Sequence, residues 1–457
     1  MSVPRTSFRL RSGVDSLTIP AMGQYLMRLL SAKGGQASLL TVAKHVVVFL
    51  FFFFLPTQLS KHFWPAWSYV QGIRVDYLSP TISVIDILSL LIIAFHMRTL
   101  VHFIRTTNRA VFVVLGLLIG TNLLFSTPPL HSLFIWLRIL LGFVVMLILV
   151  KNMKKYLSTI LAGLAVSTVI QLLLVCMQYI SQSSLQGIWY WLGERRIVLS
   201  LPDVAKISVY GREFLRPYGT FSHPNALGGF YVLLFFFVFW LRQQISPTDG
   251  CTRLMAGVIL FICPFLVLAS FSKVAILSFV LGNLILVWGD YTYRKCALCL
   301  VARTSILILV LLMFTIPIGD PYSLQKRLVL IGNSLRIFFD HPLWGVGLGN
   351  YIIAQSSISI LPRYMPLYQP VHNIFLLVLT EVGVGGMLLA YFFVRQLKIL
   401  MIGGAHLLPM LLVMFLTGMF DHYWITQPQT QVLAVFVLLS IFLMHPAARD
   451  EGEKRPL

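Results

Sequence analysis

The sequence predicts an all-α fold: a polytopic integral membrane protein with about twelve transmembrane helices and two long outer-face loops. Three observations lead there. Of the 457 residues, 58% are hydrophobic and only 11% are charged, which no ordinary soluble domain of this length sustains. Apolar runs long enough to cross a bilayer recur along the chain, and the mean hydropathy is +0.85. The runs are continuous rather than alternating, which excludes a β-barrel.

Residues 1–38 are polar and mildly basic, with Arg5, Arg9, Arg11, Arg28 and Lys33. They lack the pattern of a cleavable leader and read as a cytoplasmic N-terminal segment. N-terminal transmembrane helices fill 39–180, with apolar runs at 40–59, 81–97, 110–126, 130–150 and 156–180. Residues 181–225 form the first long outer loop. Central helices occupy 226–319, with runs at 226–242, 254–270, 274–289 and 304–319. The second outer loop is 320–371. C-terminal helices lie in 372–445, with runs at 373–396, 406–420 and 431–445, and 446–457 is a cytoplasmic tail.

Charge sets the orientation. The short connections RTLVHFIRTTNR (98–109), KNMKK (151–155) and YRKCALCLVAR (293–303) are basic, and an even number of spans puts them on one side with both termini. That side reads as the cytoplasm. The net charge of +20 is thus explained by the membrane rather than by nucleic acid. The five cysteines fall in apolar or cytoplasmic stretches, so no disulfide is expected. Cys296 and Cys299 form a lone CxxC without the partner ligands a zinc site needs.

Topology does not explain the basic residues of the outer loops. Arg195, Arg196, Lys206, Arg212 and Arg216 stand against Glu194, Asp203 and Glu213 in the first; Lys326, Arg327, Arg336 and Arg363 stand against Asp320 and Asp340 in the second. Either they bind an anion, or they are ordinary solvated charge on long loops that escape the orientation rule. Residues 323–340 have helical rhythm, with Leu324, Leu328, Ile331, Leu335 and Phe338 on one face. They read as an amphipathic helix on the outer membrane surface. His341-Pro342 ends it, and the glycines of GVGLGN make a tight turn.

Several chemistries are missing from the sequence: no P-loop, HExxH, GxSxG or paired-carboxylate metal element is present. No metal and no cofactor is expected. Arginine and histidine remain. Arg216 opens LRPYGTFSHPNALGGF, Arg327 lies in the amphipathic helix, and His372 precedes a spanning helix whose dipole favours the neutral ring. Guanidinium groups hold phosphate, and a neutral imidazole serves as general base. That trio suits group transfer from a phosphorylated donor to a hydroxyl. Against it, Arg216 fits a lipid-headgroup contact, Arg327 a snorkelling charge, and His372 a helix cap. His223 reads as structural, before Pro224 and an Asn225 able to cap the next helix. Asp421 and His422 of DHYW either line the same cavity or sit beside interfacial aromatics. Asp86, Arg138 and Glu381 are intramembrane, either as a structural ion pair or as a proton relay.

At this point the sequence resembles the O-antigen ligase and polymerase superfamily. RPYGTFSHPNALGGF, FSK (271–273), Arg327 with FFDHPLWGVGLGN, and HNIFLLVLTEVGVGG occur in that family's order over about 215–390. The resemblance implies an inverting, metal-independent glycan transferase on the outer face of the bacterial cytoplasmic membrane. Its donor would be a glycan on an undecaprenyl-pyrophosphate carrier, and its acceptor a hydroxyl-bearing glycan or glycolipid. Arg216 and Arg327 match the arginines that hold the pyrophosphate, and His372 matches the base. Lys273 stands where the family has Arg, keeping the charge but losing the fork. His223, Asn225, Lys273, Asn373, Asp421 and His422 are candidates to line the site. Four functions stay open: ligase to lipid A-core, polymerase, protein O-oligosaccharyltransferase, and a flippase using Arg138, Asp86 and Glu381.

Overall fold

The computed structural model describes residues 39–201, 204–209, 212–289, 308, 322–358, 367–396 and 407–444. The chain divides into two compact units, Met1–Val46 and Val47–Leu457. Of the first, only 39–46 is described, as the opening turns of helix α1 (Leu39–Phe54). The other elements belong to the second unit.

After α1 come four short strands, β1 (Ser60–His62), β2 (Tyr69–Val70), β3 (Ile73–Arg74) and β4 (Thr81–Ser83). Helices α2 (Val84–Phe95), α3 (Met97–Thr106), α4 (Arg109–Leu124), α5 (Pro129–Lys151), α6 (Met153–Ser181) and the single turn α7 (Ile188–Trp191) follow. The hairpin β5 (Lys206–Val209) and β6 (Arg212–Leu215) precedes α8 (Pro224–Arg242), α9 (Gly250–Ala269) and α10 (Lys273–Gly289). The last part holds α11 (Tyr322–Asp340), α12 (Tyr351–Ile358), α13 (Ile374–Gln396), α14 (Leu408–Phe420), α15 (Tyr423–Thr426) and α16 (Pro428–Met444).

The protein is a largely helical membrane protein. Among the described residues α5, α6, α8, α9 and α13 are long and apolar enough to cross a bilayer, and α2 with α3 passes as a sixth, bent by 75°. The apolar helices α1, α4, α10, α14 and α16 are shorter. They fall on expected runs; the run at 304–319, apart from residue 308, and the CxxC at 296–299 lie outside the described residues. Helix ends follow local chemistry. Ser83 and Asp86 form a capping box at α2, and Asp249 caps α9 through Thr252 N.

Helix α8 is the innermost, packed on α9, α10, α14 and α16. Its Phe230, Tyr231, Phe236 and Phe237 are almost wholly buried, whereas Phe261 and Leu268 of α9 face outward at 70% and 54% exposure. In lipid such outward residues carry no penalty, so close packing rather than exclusion from water fixes the core.

Three features differ from expectation. The fold is not purely helical, since β1–β4, β2–β3 and β5–β6 make three two-stranded pairs. A third segment, 55–83, joins the two expected outer loops. It reaches 181–225 through an Asp76–Arg195 pair at 3.6 Å, and its Val70, Val75 and Leu78 pack in one cluster with Leu330, Ile337, Tyr351 and Leu377. The face of α11 that meets the protein is Leu330, Ser334 and Ile337, all fully buried; the expected apolar face stands outward, with Leu324 68% and Leu328 60% exposed. A periodic stripe tells which residues share a face, but in a membrane protein not whether that face meets protein or lipid.

The GVGLGN turn is more than a loop closure. Helix α13 breaks at Gly383 (φ +69°), and the turn pairs its backbone across the break: Val346 N donates to Thr380 O, Gly347 N to Glu381 O and Gly385 N to Leu343 O, at 2.8–3.0 Å. Asn122 and Asn350 tie the same turn to α4 and α5 through Leu348 N, Glu381 O and His131.

Candidate functional site

The loop from Leu215 to Phe230 hangs from α6. Gln178 accepts hydrogen bonds from Tyr218 N (3.0 Å) and Gly219 N (2.8 Å), and Thr220 donates to Pro56 O. Gly228 lies against the turn that ends α9, where a Cβ would approach Ser270 Oγ to 2.6 Å. That close approach lets Arg216 reach the helix end. Its Nε and Nη2 both donate to Ser270 O (3.1 and 2.9 Å), at the negative end of the α9 dipole. Nη2 also donates to Asn225 Oδ1 at 2.7 Å.

Arg216 therefore does not present a free Nε/Nη2 fork. That edge binds protein, and among the described residues Nη1 is the guanidinium nitrogen left without a partner. Burial pulls the group down to about 10, with Arg327 acting the same way and Tyr218 and Asp421 opposing. It remains charged at neutral pH.

Asn225 does not cap α8. Its neighbour His223 does, accepting from Asn225 N through Nδ1 at 3.1 Å, which leaves Pro224 in the first turn. The Asn225 side chain bridges instead: it accepts from Arg216 and donates through Nδ2 to Asp421 Oδ2 at 2.9 Å. Asp421 Oδ1 accepts from His422 N at 2.8 Å. Burial works against the charge of Asp421, but the imidazoles of His422, His372 and His223 and the Asn225 amide hold it below the usual carboxylate range.

His422 is buried, with Nδ1 2.8 Å from Thr426 Oγ1, and its ring meets those of His372 (centroids 5.2 Å apart) and Tyr77 (5.6 Å) edge to face. His372 precedes Asn373, which caps α13 through Leu376 N and donates to Met419 O at 3.2 Å. His372 Nδ1 is buried without a hydrogen-bond partner among the described residues. Burial, with His422 and Arg327, lowers His372 to about 4 against the raising effect of Asp421. Burial lowers His223 and His422 as well.

Arg327 acts electrostatically on Arg216, His372 and His422, and makes no hydrogen bond among the described residues. Among the described residues around these groups, Asp421 is the carboxylate set against Arg216 and three imidazoles, while Arg327 acts on Arg216, His372 and His422. Such a site favours an anion. Among the described residues no group of three His, Cys, Asp or Glu side chains is arranged to hold a metal ion.

Of the residues singled out from the sequence, Arg216, His223, Asn225, Arg327, His372, Asp421 and His422 come together. Asn373 is a cap, and Lys273 opens α10 three residues after Ser270. Two other loop cations pair with carboxylates instead, Lys206 with Glu213 at 2.9 Å and Arg195 with Asp76, and Arg363 lies outside the described residues. Tyr423 and Trp424 are core residues rather than interfacial anchors. Arg138 pairs with Asp86 at 3.4 Å and donates to Thr81 Oγ1, while Glu381 accepts from Tyr351 N at 3.4 Å, so the three form no chain. Sequence reading missed Tyr77 and the Ser270 carbonyl.

Compared with known proteins, the family model described as O-antigen ligase matches residues 256–392. The matched stretch holds Ser270, Lys273, Arg327, His372 and Asn373, while Arg216, Asn225, Asp421 and His422 lie outside it. A search of curated proteins returns no match. Residues 256–392, running from α9 into the second half of α13, are thus similar to the O-antigen ligase family.

Proposed function

We propose that this protein transfers a glycan from an undecaprenyl-pyrophosphate carrier to an acceptor hydroxyl, on lipid A-core or another surface acceptor, at the outer face of the bacterial cytoplasmic membrane. About twelve spans carry the site. They lie in 39–180, 226–319 and 372–445, with 181–225 and 320–371 outside. The observation that carries the reading is His372: an imidazole kept neutral by burial, its Nδ1 without a partner among the described residues, near Arg327 and the Arg216–Asn225–Asp421 chain.

His372 Nε2 takes the proton of the acceptor hydroxyl as its oxygen attacks the anomeric carbon from the face opposite the phosphate. The new glycosidic bond forms, the bond from the anomeric carbon to the phosphate oxygen breaks, and configuration inverts. The bond pair leaves with the lipid pyrophosphate, whose charge is met by Arg216 Nη1 and Arg327. The proton rests on His372. The donor bond is already activated, so no nucleotide or other cofactor is required.

The test is a glycan profile of cells lacking the protein, complemented with wild type or His372→Ala. Full-length polymer left on the carrier lipid, unrescued by His372→Ala, supports ligase. Single repeats left on the carrier indicate polymerase. Normal lipid-linked and surface glycan beside an unglycosylated protein indicates protein transfer. Units trapped inside and fully rescued by His372→Ala overturn transfer in favour of transport.

A further inference from the structure

Residues 87–193 contain no acidic side chain, yet they include Arg98, Arg105, Arg109, Lys151, Lys154 and Lys155. Helix α3 organises one edge of this region. It leaves α2 at 75°, so it turns aside from that helix instead of extending its span. The bend is held by His96, whose Nδ1 donates to Ile92 O at 2.9 Å and whose Nε2 lies 2.9 Å from the Tyr156 hydroxyl. Lys151 lies 4.7 Å over the ring of Phe103, fixing the inner side of α3 on the end of α5.

Eight of the ten residues of α3 fall into three sectors. Leu100 and Phe103 face the protein and are half-buried. Met97, Val101 and Ile104 form an apolar strip, 52%, 40% and 49% exposed. Arg98, His102 and Arg105 form an exposed basic edge beside that strip. An open depression of about 360 Å³ lies between the last two sectors, lined by Met97, Arg98, Val101, His102 and Arg105. One wall is cationic and the other apolar, and no carboxylate of 87–193 competes for the arginines. An acidic protein segment would need the charge alone; an apolar strip alongside it fits a molecule with an anionic head and a hydrocarbon tail.

We propose that α3 is a docking site for anionic phospholipid of the surrounding bilayer, its headgroup phosphate on Arg98, His102 and Arg105 and its acyl chain along Met97, Val101 and Ile104. The site is separate from the transfer chemistry and does not depend on it. Nothing in the reaction proposed above calls on these residues.

The experiment is native mass spectrometry of the full-length protein in detergent, titrated with dioleoylphosphatidylglycerol, with dioleoylphosphatidylcholine and inorganic phosphate as comparisons. The double variant Arg98→Gln/Arg105→Gln should bind phosphatidylglycerol about thirtyfold more weakly, on the order of fivefold for each cation near an anionic headgroup. Arg98→Lys/Arg105→Lys should keep most of the binding, and phosphatidylcholine should bind weakly to all three proteins. Equal binding of phosphatidylglycerol by wild type and the Gln variant overturns the proposal. So does displacement of the lipid by an equal concentration of inorganic phosphate, which would make the site one for free phosphate. Loss in the Lys variant equal to that in the Gln variant also overturns it, because the arginines would then act through the fold rather than through charge.

Discussion

The imidazoles of His372 and His422 stand edge to face with centroids 5.2 Å apart, one on the residue before the cap of α13 and the other just past the end of α14. Neither ring is free to take a proton cheaply. Burial disfavours the charged form of both, and Arg327 adds to the effect. Only Asp421 pulls the other way.

This fixes the sign of a pH dependence. A general base must be neutral, so kcat/KM should fall as pH drops through the free-enzyme value of about 4 and be level from roughly pH 6 to 8. Donor pyrophosphate brings negative charge to the ring and raises its pKa, so the acid limb of kcat should lie at higher pH than that of kcat/KM. Arg327→Gln removes a charge that lowers His372 and should move the limb up; Asp421→Asn removes one that raises it and should move the limb down. Profiles of purified enzyme check both directions, and an unmoved limb in both variants would remove His372 from the role.

The Arg216–Asn225–Asp421 chain predicts a second result. Asn225→Leu keeps the size of the side chain while cutting a 2.7 Å bond from a guanidinium and a 2.9 Å bond to a carboxylate. A hydrogen bond to a charged group contributes about 1.5–3 kcal/mol. Transfer should fall by roughly ten- to a hundredfold in kcat/KM on that basis. Arg216→Lys keeps the charge but cannot grip Ser270 O through two nitrogens, and should lose activity to a similar degree. Wild-type transfer rates in both would show that the bridge is idle.

How much of this was legible follows from what each residue signals. Arg216 and His372 stand out because a cation and an imidazole beside helix starts are rare in so apolar a chain. His223 was readable as the cap, since a proline in the first helical position makes the preceding residue the cap; the amide of Asn225 drew attention instead. Tyr77 gave no signal, because it lies in a short connection and meets His422 more than 340 positions away in sequence. Ser270 acts through its carbonyl, which any residue has. The outward face of α11 was invisible for a different reason: periodicity finds Leu324 and Leu328 together but does not say what covers them.

Arg138 and Asp86 predict a stability effect without a catalytic one. Asp86 Oδ2 accepts from Ser83 N and Oγ at 2.7 Å, so it is held by its own helix cap as well as by Arg138. Arg138→Leu should leave Asp86 capped and cost about 1–2 kcal/mol, whereas Asp86→Asn leaves a largely buried guanidinium unpaired and should cost about 3 kcal/mol or more. Thermal unfolding in detergent measures both, and the double variant should cost less than their sum. Activity per folded molecule should stay at the wild-type level. A specific loss of activity without loss of stability would revive the proton-relay reading.

Two glycines of one loop should respond in opposite directions. Gly347 has φ +94° and lies on α5's approach, where an added Cβ would come to 2.9 Å from Ser126 Cα and closer to its side chain. Gly347→Ala forces an L side chain into the left-handed region, at about 1–2 kcal/mol, and overpacks a buried contact, at about 1–3 kcal/mol. Ser126 cannot yield by rotating, because its backbone is part of the clash, and Asn350 holds its hydroxyl at 2.7 Å. Gly332 sits in α11 with nothing within 4 Å of a Cβ. Gly332→Ala there restores helix propensity, about 0.8–1 kcal/mol. Melting in detergent should therefore fall for Gly347→Ala and rise slightly for Gly332→Ala. If Gly347→Ala melts with the wild type, the turn is not bound to α4, α5 and α13 as tightly as its hydrogen bonds imply, and His372, just before the cap of α13, owes its position to something else.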